Sequence, residues 1–146
     1  VEFNARFGDP ETQVVLDRLA TPLGALLQAT DTGNLGGVTG LEWRPGAAVT
    51  VVVAAEGYPG TPAKGDLIGG LAEANAVEGA YVLHAGTAWS GVRDVKSNGG
   101  RVLSVVGSGA DLAEARRRAY EAVSKIELRG SFYRTDIAER AALGQA

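Results

Sequence analysis

The sequence contains no cysteine, no methionine and only one histidine among its 146 residues. Without cysteine the chain forms no disulfide and offers no thiolate to a metal, and one histidine cannot supply a histidine zinc cluster. No apolar run approaches the roughly 18 residues of a membrane span, and no basic and apolar leader opens the chain. We therefore expect a cytoplasmic protein with no membrane partner.

Basic residues are also too few for a general nucleic-acid-binding surface. The chain has 14 Lys and Arg against 17 Asp and Glu, a formal net charge of −3, whereas broad nucleic-acid binding requires a basic surface. Hydrophobic residues make up 45% and charged residues 21%, which is typical of a globular chain. We expect no nucleic-acid partner, and any anion site must be local.

The length of 146 residues suits one domain with a leading piece. Because the chain begins at Val1 and lacks methionine, we expect the native N-terminus to lie elsewhere. Composition changes around Gly36 to Gly40, a flexible link after which β-branched residues increase. We place a domain boundary near Gly40, which divides the chain into residues 1–40 and 41–146.

The first four residues alternate between apolar and oxygen-bearing side chains. Glu2 and Asn4 project from one face of an extended segment, about 7 Å apart. A carboxylate and an amide oxygen suit Mg²⁺, or Mn²⁺ in its place, held together with substrate phosphates. Arg6 follows, and its guanidinium matches a carboxylate or phosphate. The alternative is an edge strand whose polar residues face solvent.

Two short helices follow this strand. Asp9 is a suitable cap, Pro10 suits the first helical position, and apolar spacing predicts a helix from Pro10 to about Leu19. A second helix begins at Thr21-Pro22 and continues until the pattern breaks at Asp31.

The remainder predicts a small antiparallel sheet and one long helix. The β-branched run at 49–54 indicates a buried central strand, and shorter strands are predicted at 66–68, 80–86 and 92–95. Ser97-Asn98-Gly99-Gly100 predicts a hairpin turn that returns through a strand at 101–106. Gly107-Ser108-Gly109 lacks the pattern of a P-loop and is interpreted as a strand-to-helix turn.

A capping box, Asp111 with Glu114, opens a predicted helix over about 111–127. Arg116, Arg117 and Arg118 fan around it, and we expect a solvated face on which they pair with glutamates. A closing strand or turn at 131–134 and a short helix from Asp136 to about Ala142 follow. The fold class is therefore α+β.

Two residues of the β-rich part are candidates for chemistry. His84 lies in an apolar strand with no nucleophile nearby, which favours a packed or hydrogen-bonding histidine over a catalytic one. Arg101 follows Asn98-Gly99-Gly100, where bare backbone N–H groups and a guanidinium suit a phosphate. The alternative is an exposed arginine at a strand start.

The opening string Glu-Phe-Asn-Ala-Arg-Phe-Gly-Asp-Pro-Glu-Thr-Gln, residues 2–13, closely resembles the signature of glycinamide ribonucleotide synthetase, also called phosphoribosylamine–glycine ligase. In that family it lies near the C-terminal end of the ATP-grasp domain. The resemblance covers essentially the whole chain and continues through Gly57-Tyr58-Pro59-Gly60, Lys64-Gly65-Asp66, His84-Ala85-Gly86-Thr87, Asn98-Gly99-Gly100-Arg101-Val102-Leu103 and Arg134-Thr135-Asp136-Ile137.

This resemblance implies the end of an ATP-grasp domain followed by a small antiparallel β-rich C-terminal domain with one long packed helix. It implies a ligase of de novo purine synthesis that joins glycine to phosphoribosylamine with ATP as co-substrate. Glu2 and Asn4 would then hold the metal, Arg6 would act in catalysis, and four residues would bind substrate: Arg6, Asp9, Asn98 and Arg101. The family's N-terminal lobes have no counterpart here, so we expect the isolated chain to be inactive.

The alternative is a non-catalytic binding or carrier module of the hybrid-motif type. Lys96 adjoins the glycine-rich turn, but the turn has neither the Met-Lys tip of a biotinyl domain nor the Asp-Lys tip of a lipoyl domain. A cofactor attached to Lys96, visible by mass spectrometry, would favour the carrier.

Overall fold

The structure is a computed structural model that describes residues 6–145. Its helices and strands, in chain order, are α1 (Glu11–Arg18), α2 (Leu23–Asp31), β1 (Ala47–Ala54), α3 (Leu71–Asn75), β2 (Ala80–His84), β3 (Thr87–Ser90), β4 (Asp94–Ser97), β5 (Arg101–Gly109), α4 (Leu112–Val123) and α5 (Glu139–Ala142), with a 3₁₀ turn at Leu35–Gly37. The predicted α+β class is confirmed. None of the helices formed within residues 6–145 is long and apolar enough to cross a membrane.

The main sheet is antiparallel and has the strand order β1-β5-β2. Strand β5 is central and pairs with β1 from Ala47↔Gly109 and with β2 from Ala80↔Gly107. Every residue from 102 to 107 is buried. The prediction that β1 is the central strand is wrong, because its β-branched run reflects packing between layers. Among residues 6–145, the outer edge of β1 makes only a single bridge, Ala54 to Phe132.

The turn at 97–100 connects two sheets instead of forming a hairpin. Strand β4 pairs with β3, whereas β5 pairs with β1 and β2. The hairpin prediction is therefore wrong, since tolerance of positive φ does not determine which strands pair. Residues 66–68 form no strand and, within the part of the chain that the structure describes, make only an isolated bridge, Leu67 to Lys96. Residues 107–109 continue β5 instead of turning.

Helix α4 covers one face of the main sheet. Val49, Val51 and Val53 alternate along β1 toward the core cluster that contains Ala115 and Ala119 of α4. Gly107 lies where the helix backbone comes closest, since a Cβ there would collide with the Ala115 carbonyl and the Ala119 nitrogen. This layer of small residues against a glycine brings α4 close to β5.

The predicted start of α4 is confirmed and its predicted end is too late. Asp111 Oδ1 accepts the Glu114 N–H at 2.8 Å, and Glu114 Oε2 accepts the Ala110 N–H at 2.8 Å. The helix stops at Val123.

The arginine triplet is only partly the solvated face that we expected. Arg117 and Arg118 pair with Glu121 and Glu114 at 3.0 Å. Arg116 instead donates to the Thr135 and Ile137 carbonyls at 2.7 and 2.9 Å, so it fastens the C-terminal segment to α4.

Helix α1 lies on the opposite face of the sheet. Residues 104, 106 and 108 of β5 alternate with those facing α4, and Ser108 donates its hydroxyl to Asp17 of α1. Pro10, the residue before α1, lines a hollow together with Val14 of α1 and Thr50 of β1. Both predicted N-terminal helices are confirmed, with α1 and α2 each within three residues of the expected bounds. The sheet is therefore covered by α4 on one side and by α1 on the other.

Candidate functional site

Asp9 lies two residues before α1 and contacts two side chains. Gln13 Nε2 donates to Asp9 Oδ1 at 3.0 Å, and Arg101 places Nη2 2.9 Å from Oδ2. Helix α1 has no side-chain cap, and Pro10 occupies the position before its first residue. The prediction that Asp9 caps this helix is wrong, because its carboxylate faces Gln13 and Arg101 instead of the backbone.

Arg101, the first residue of β5, keeps part of its hydrogen-bonding capacity. Beyond the ion pair, its Nη1 donates to the Asp9 carbonyl at 3.2 Å, and its side chain is 42% exposed. A guanidinium has five N–H donors, so these contacts leave donors for a further anion. The fold thus brings together two predicted substrate-binding residues that are 92 positions apart.

Arg6 is exposed, and its Nη1 donates to the Phe7 carbonyl at 2.8 Å. It precedes Asp9 by three residues, so both arginine and aspartate lie on the N-terminal side of α1 in the sequence. Its assignment to catalysis and substrate binding stays a prediction.

The glycine-rich turn before β5 is partly occupied by internal contacts. The Asn98 N–H donates to the Gly86 carbonyl at 2.8 Å, and a Cβ built at Gly99 would lie 3.0 Å from the Gly86 Cα. Asn98 itself is exposed. Because the Asn98 N–H is already bonded to the Gly86 carbonyl, the N–H groups of Gly99 and Gly100 remain as the predicted backbone donors to a phosphate.

The predicted metal ligands, Glu2 and Asn4, lie outside the described residues. Within residues 6–145, no three or more His, Asp or Glu side chains are grouped so as to hold a metal ion. The metal assignment therefore stays a prediction that rests on the first four residues.

A cavity of about 610 Å³ opens between α1 and β2, beside Asp9. Gln13 lines it, and the Oε1 atom of this side chain is buried and accepts no hydrogen bond from the described residues. Gln13 turns its Nε2 toward Asp9, so its amide oxygen and the Asp9 carboxylate are two separate acceptors, of the kind that suits an amino group or hydroxyls. The cavity thus offers acceptors close to the cationic Arg101.

Sequence reasoning missed Asp17, Tyr81 and Ser108. Asp17, in the last turn of α1, accepts the Tyr81 hydroxyl at 3.2 Å and the Ser108 hydroxyl at 2.9 Å. Burial, followed by the neighbouring Asp17 carboxylate, raises the pKa of Tyr81 to about 12, so the phenol stays protonated at neutral pH and donates. The signal was the spacing of Gln13 and Asp17, which are four residues apart and share one face of α1, with Asp9 four residues before Gln13.

Two other expectations concern the β-rich part. His84 Nδ1 lies 3.0 Å from Thr87 Oγ1, which agrees with a hydrogen-bonding histidine. Lys96 stands within β4 opposite Ala88, so it does not project from a turn as the lysine of a carrier module does.

Comparisons with known proteins agree with the resemblance noted from the sequence. The family model described as "Phosphoribosylglycinamide synthetase, C domain" matches residues 48–140. The chain is 62% identical over 144 residues to the phosphoribosylamine–glycine ligase of Streptomyces coelicolor, which covers 97% of this chain and 34% of that protein. It is 56% identical over 145 residues to the protein of that name from Mycobacterium tuberculosis, which covers 99% and 33%.

A solved structure has the same fold. The crystal structure of phosphoribosylamine–glycine ligase from Thermotoga maritima matches with a TM-score of 0.73 and 39% sequence identity, over 93% of this chain and 32% of that one. The chain therefore spans about a third of the length of the relatives that it matches.

Proposed function

Since the chain belongs to the phosphoribosylglycinamide synthetase C-domain family, we propose that it is the C-terminal part of an ATP-dependent ligase that joins glycine to phosphoribosylamine. The observation that carries this proposal is the match along 97% of the chain to a relative named phosphoribosylamine–glycine ligase. The place of the reaction in purine synthesis and the cytoplasmic location follow as parts of the same proposal.

The proposed reaction has two steps. The γ-phosphoryl group of ATP transfers to an oxygen of the glycine carboxylate, and ADP leaves. The nitrogen of phosphoribosylamine then attacks the acyl carbon, the bond from that carbon to the phosphate oxygen breaks, and phosphate departs with the electron pair while the amine loses a proton. Neither step requires a side-chain nucleophile, so the protein contributes positioning and charge neutralisation.

Arg101 is proposed to bind the 5-phosphate of phosphoribosylamine. Its ion pair with Asp9 holds the guanidinium in place. The remaining N–H donors of Arg101 can then bind the phosphate without breaking this ion pair. Asn98 and the N–H groups of Gly99 and Gly100 supply further donors at the same turn. Arg6 is proposed to approach from the α1 side, toward the glycine carboxylate and the ATP γ-phosphate.

The acceptors beside Arg101 support an amine in the same site. Asp9 and the unpartnered Gln13 Oε1 line one cavity, and both suit the amino group of phosphoribosylamine or the ammonium group of glycine. The phosphate and the amine of one substrate would thus contact Arg101 and two acceptors, Asp9 and Gln13, from segments that are distant in sequence and adjacent in the fold.

Mg²⁺ or Mn²⁺ fits the chemistry of Glu2 and Asn4, because hard divalent cations prefer oxygen donors and take few protein carboxylates. Such an ion, when bound, neutralises charge on the ATP phosphates. We expect Glu2→Gln to weaken the use of Mg²⁺-ATP more than Asn4→Asp, since the first change removes a charge from the site and the second adds one. A magnesium titration with equal or reversed losses would count against Glu2 as the main ligand.

The isolated chain is proposed to be inactive, because an ATP-grasp site needs two lobes around the nucleotide and this chain spans about a third of its relatives. Formation of ADP from ATP, glycine and phosphoribosylamine by the purified chain would overturn this part of the proposal.

The decisive experiment replaces Arg101 by alanine in the complete enzyme. A charge-assisted contact to phosphate contributes about 1.5–3 kcal/mol, so the KM for phosphoribosylamine should rise roughly tenfold to a hundredfold with little change for ATP. Arg93→Ala is the matched control, because Arg93 lies in the exposed turn between β3 and β4. An unchanged KM in the Arg101 variant would place the phosphate elsewhere.

A further inference from the structure

Helix α1 is attached to the sheet by polar contacts at both of its ends. At its start Asp9 pairs with Arg101 at 2.9 Å. In its last turn Asp17 Oδ2 accepts the Ser108 hydroxyl at 2.9 Å, and Ser108 lies near the far end of the same strand. Both attachments therefore reach β5, the central and most buried strand.

The two hydroxyls that meet Asp17 lie on one face of the sheet. Tyr81 of β2 is opposite Val106 of β5, and Ser108 is two residues further along, so period-two alternation places all three on the same side. That side is the one that α1 covers. The strand register, and not a loop, therefore determines where the two donors converge on Asp17.

Asp17 also receives a third donor, since the Arg44 guanidinium donates to its carbonyl. Cavities of about 610 and 530 Å³ adjoin Asp17, and no side chain within α1 itself is buried. Leu19, directly after the helix, is buried and bridges Trp43, so the hydrogen bonds of Asp17 add an attachment to β2 and β5 that no buried side chain within α1 supplies. The Tyr81 hydroxyl stays protonated in this setting, because burial and Asp17 raise its pKa to about 12.

We propose that Asp17 is a positioning residue, whose hydrogen bonds to Tyr81 and Ser108 seat α1 on the sheet and thereby hold Asp9 against Arg101. A helix of eight residues is about 12 Å long and stiff over that length, so an anchor in its last turn restricts the position of its first. Asp17 touches neither substrate nor metal in this scheme. Its effect on substrate binding rests on the proposed function, whereas its effect on α1 does not.

The first test uses the chain itself. Asp17→Ala should speed amide hydrogen exchange within α1 by about tenfold relative to β5, since loss of a charge-assisted hydrogen bond of this kind changes an opening equilibrium by about that factor. Asp31→Ala, which removes an exposed carboxylate from α2, is the matched control and should leave α1 unchanged. Unchanged exchange in α1 of the Asp17 variant would overturn the anchoring role.

The second test uses the complete enzyme. Asp17→Ala should raise the KM for phosphoribosylamine by about tenfold with kcat nearly unchanged. Asp17→Asn should recover most of this loss, because an amide oxygen still accepts from Tyr81 and the amide N–H₂ donates to the Ser108 oxygen. The double variant Tyr81→Phe with Ser108→Ala should resemble Asp17→Ala, since it removes both donors.

A double-mutant cycle separates positioning from general destabilisation. If Asp17 acts through Asp9 and Arg101, then Asp17→Ala raises the KM little further when Arg101→Ala is already present. If Asp17→Ala raised the KM equally in the unmodified enzyme and in the Arg101→Ala variant, the positioning role would be overturned. If α1 loosens and neither Asp17→Ala nor Arg101→Ala alters the KM, then the anchoring stands and the proposed substrate site fails.

Discussion

Residues 6–46 and the main sheet with α4 differ in what holds them in place. In the first region Leu19 is the one buried hydrophobic residue among those described, while Phe7, Leu27 and Trp43 are half-exposed or more. In the second, β5 is buried on both faces and the small side chains of α4 close over it. Apolar packing thus dominates in the sheet, whereas directed polar contacts contribute a larger share of what positions α1.

This difference locates the candidate site at the contact between the two regions. Asp9, Gln13 and Asp17 come from the loosely packed region, and Arg101, Tyr81 and Ser108 come from the tightly packed one. Strand β5 provides a rigid base for Arg101, and the polar contacts bring α1 to it. Substitutions in the two regions should consequently separate stability from substrate binding.

The largest expected effect is a cavity in the core. Leu103 is fully buried in β5, so Leu103→Ala should lower the free energy of unfolding by about 2–5 kcal/mol. Leu27→Ala in α2, where the side chain is 50% exposed, should cost less than about 0.5 kcal/mol. Urea unfolding of both variants measures the contrast, and similar losses would contradict the difference between the regions.

A smaller effect compares the starts of α4 and α1. Asp111 caps α4 through the Glu114 N–H, so Asp111→Ala should cost about 1 kcal/mol. Asp9 does not cap α1. Asp9→Ala should therefore lower the free energy of unfolding by only about 0.5 kcal/mol, which is the contribution of an exposed ion pair. Should the Asp9 variant be the less stable of the two, the polar contacts at α1 would matter more to folding than we infer.

Alkaline pH should weaken the contact between the regions. In the unfolded chain Tyr81 loses its proton near its ordinary pKa of 10, whereas in the folded chain its pKa is about 12. Between these values the folded state binds the extra proton, so the stability contributed by Tyr81 is complete below about pH 10 and is lost as the pH rises toward about 12. Tyr81→Phe should therefore show a shallower decline in unfolding free energy over this interval, and an identical slope would contradict the assignment.

The smallest expected effect concerns surface ion pairs of α4. Arg117 is 61% exposed and pairs with Glu121 at 3.0 Å. Arg117→Ala should change the unfolding free energy by about 0.5 kcal/mol or less. A loss comparable to that of Leu103→Ala would mean that the exposed face of α4 contributes to stability as its buried face does.

Local patterns predicted the elements, and pairing between distant segments is where sequence reasoning failed. The helices α1, α2 and α4 and the strands β1, β2 and β5 follow from apolar periodicity and, for α4, from its capping box. The hairpin at 97–100 and the central position of β1 were wrong, because both depend on which strand becomes the neighbour, and β5 pairs with strands far from it in sequence.

The candidate site shows the same division. Asp9 was predicted as a substrate-binding residue through the family resemblance, and Arg101 through both the glycine-rich turn before it and the resemblance. No sequence pattern showed that they contact each other across 92 positions. Asp17 escaped notice because its partners, Tyr81 and Ser108, become neighbours only through the β2–β5 register. The predicted boundary near Gly40 stays a prediction, and α1, which precedes it, packs on the sheet that follows it.

A crystal structure of the complete enzyme with phosphoribosylglycinamide bound would test the central claim most directly. We predict that a phosphate oxygen lies within about 3 Å of the Arg101 guanidinium, with Asp9 still paired to that arginine and Asp17 still hydrogen-bonded to Tyr81 and Ser108. A phosphate held by other residues, with Arg101 bound to Asp9 alone, would contradict it.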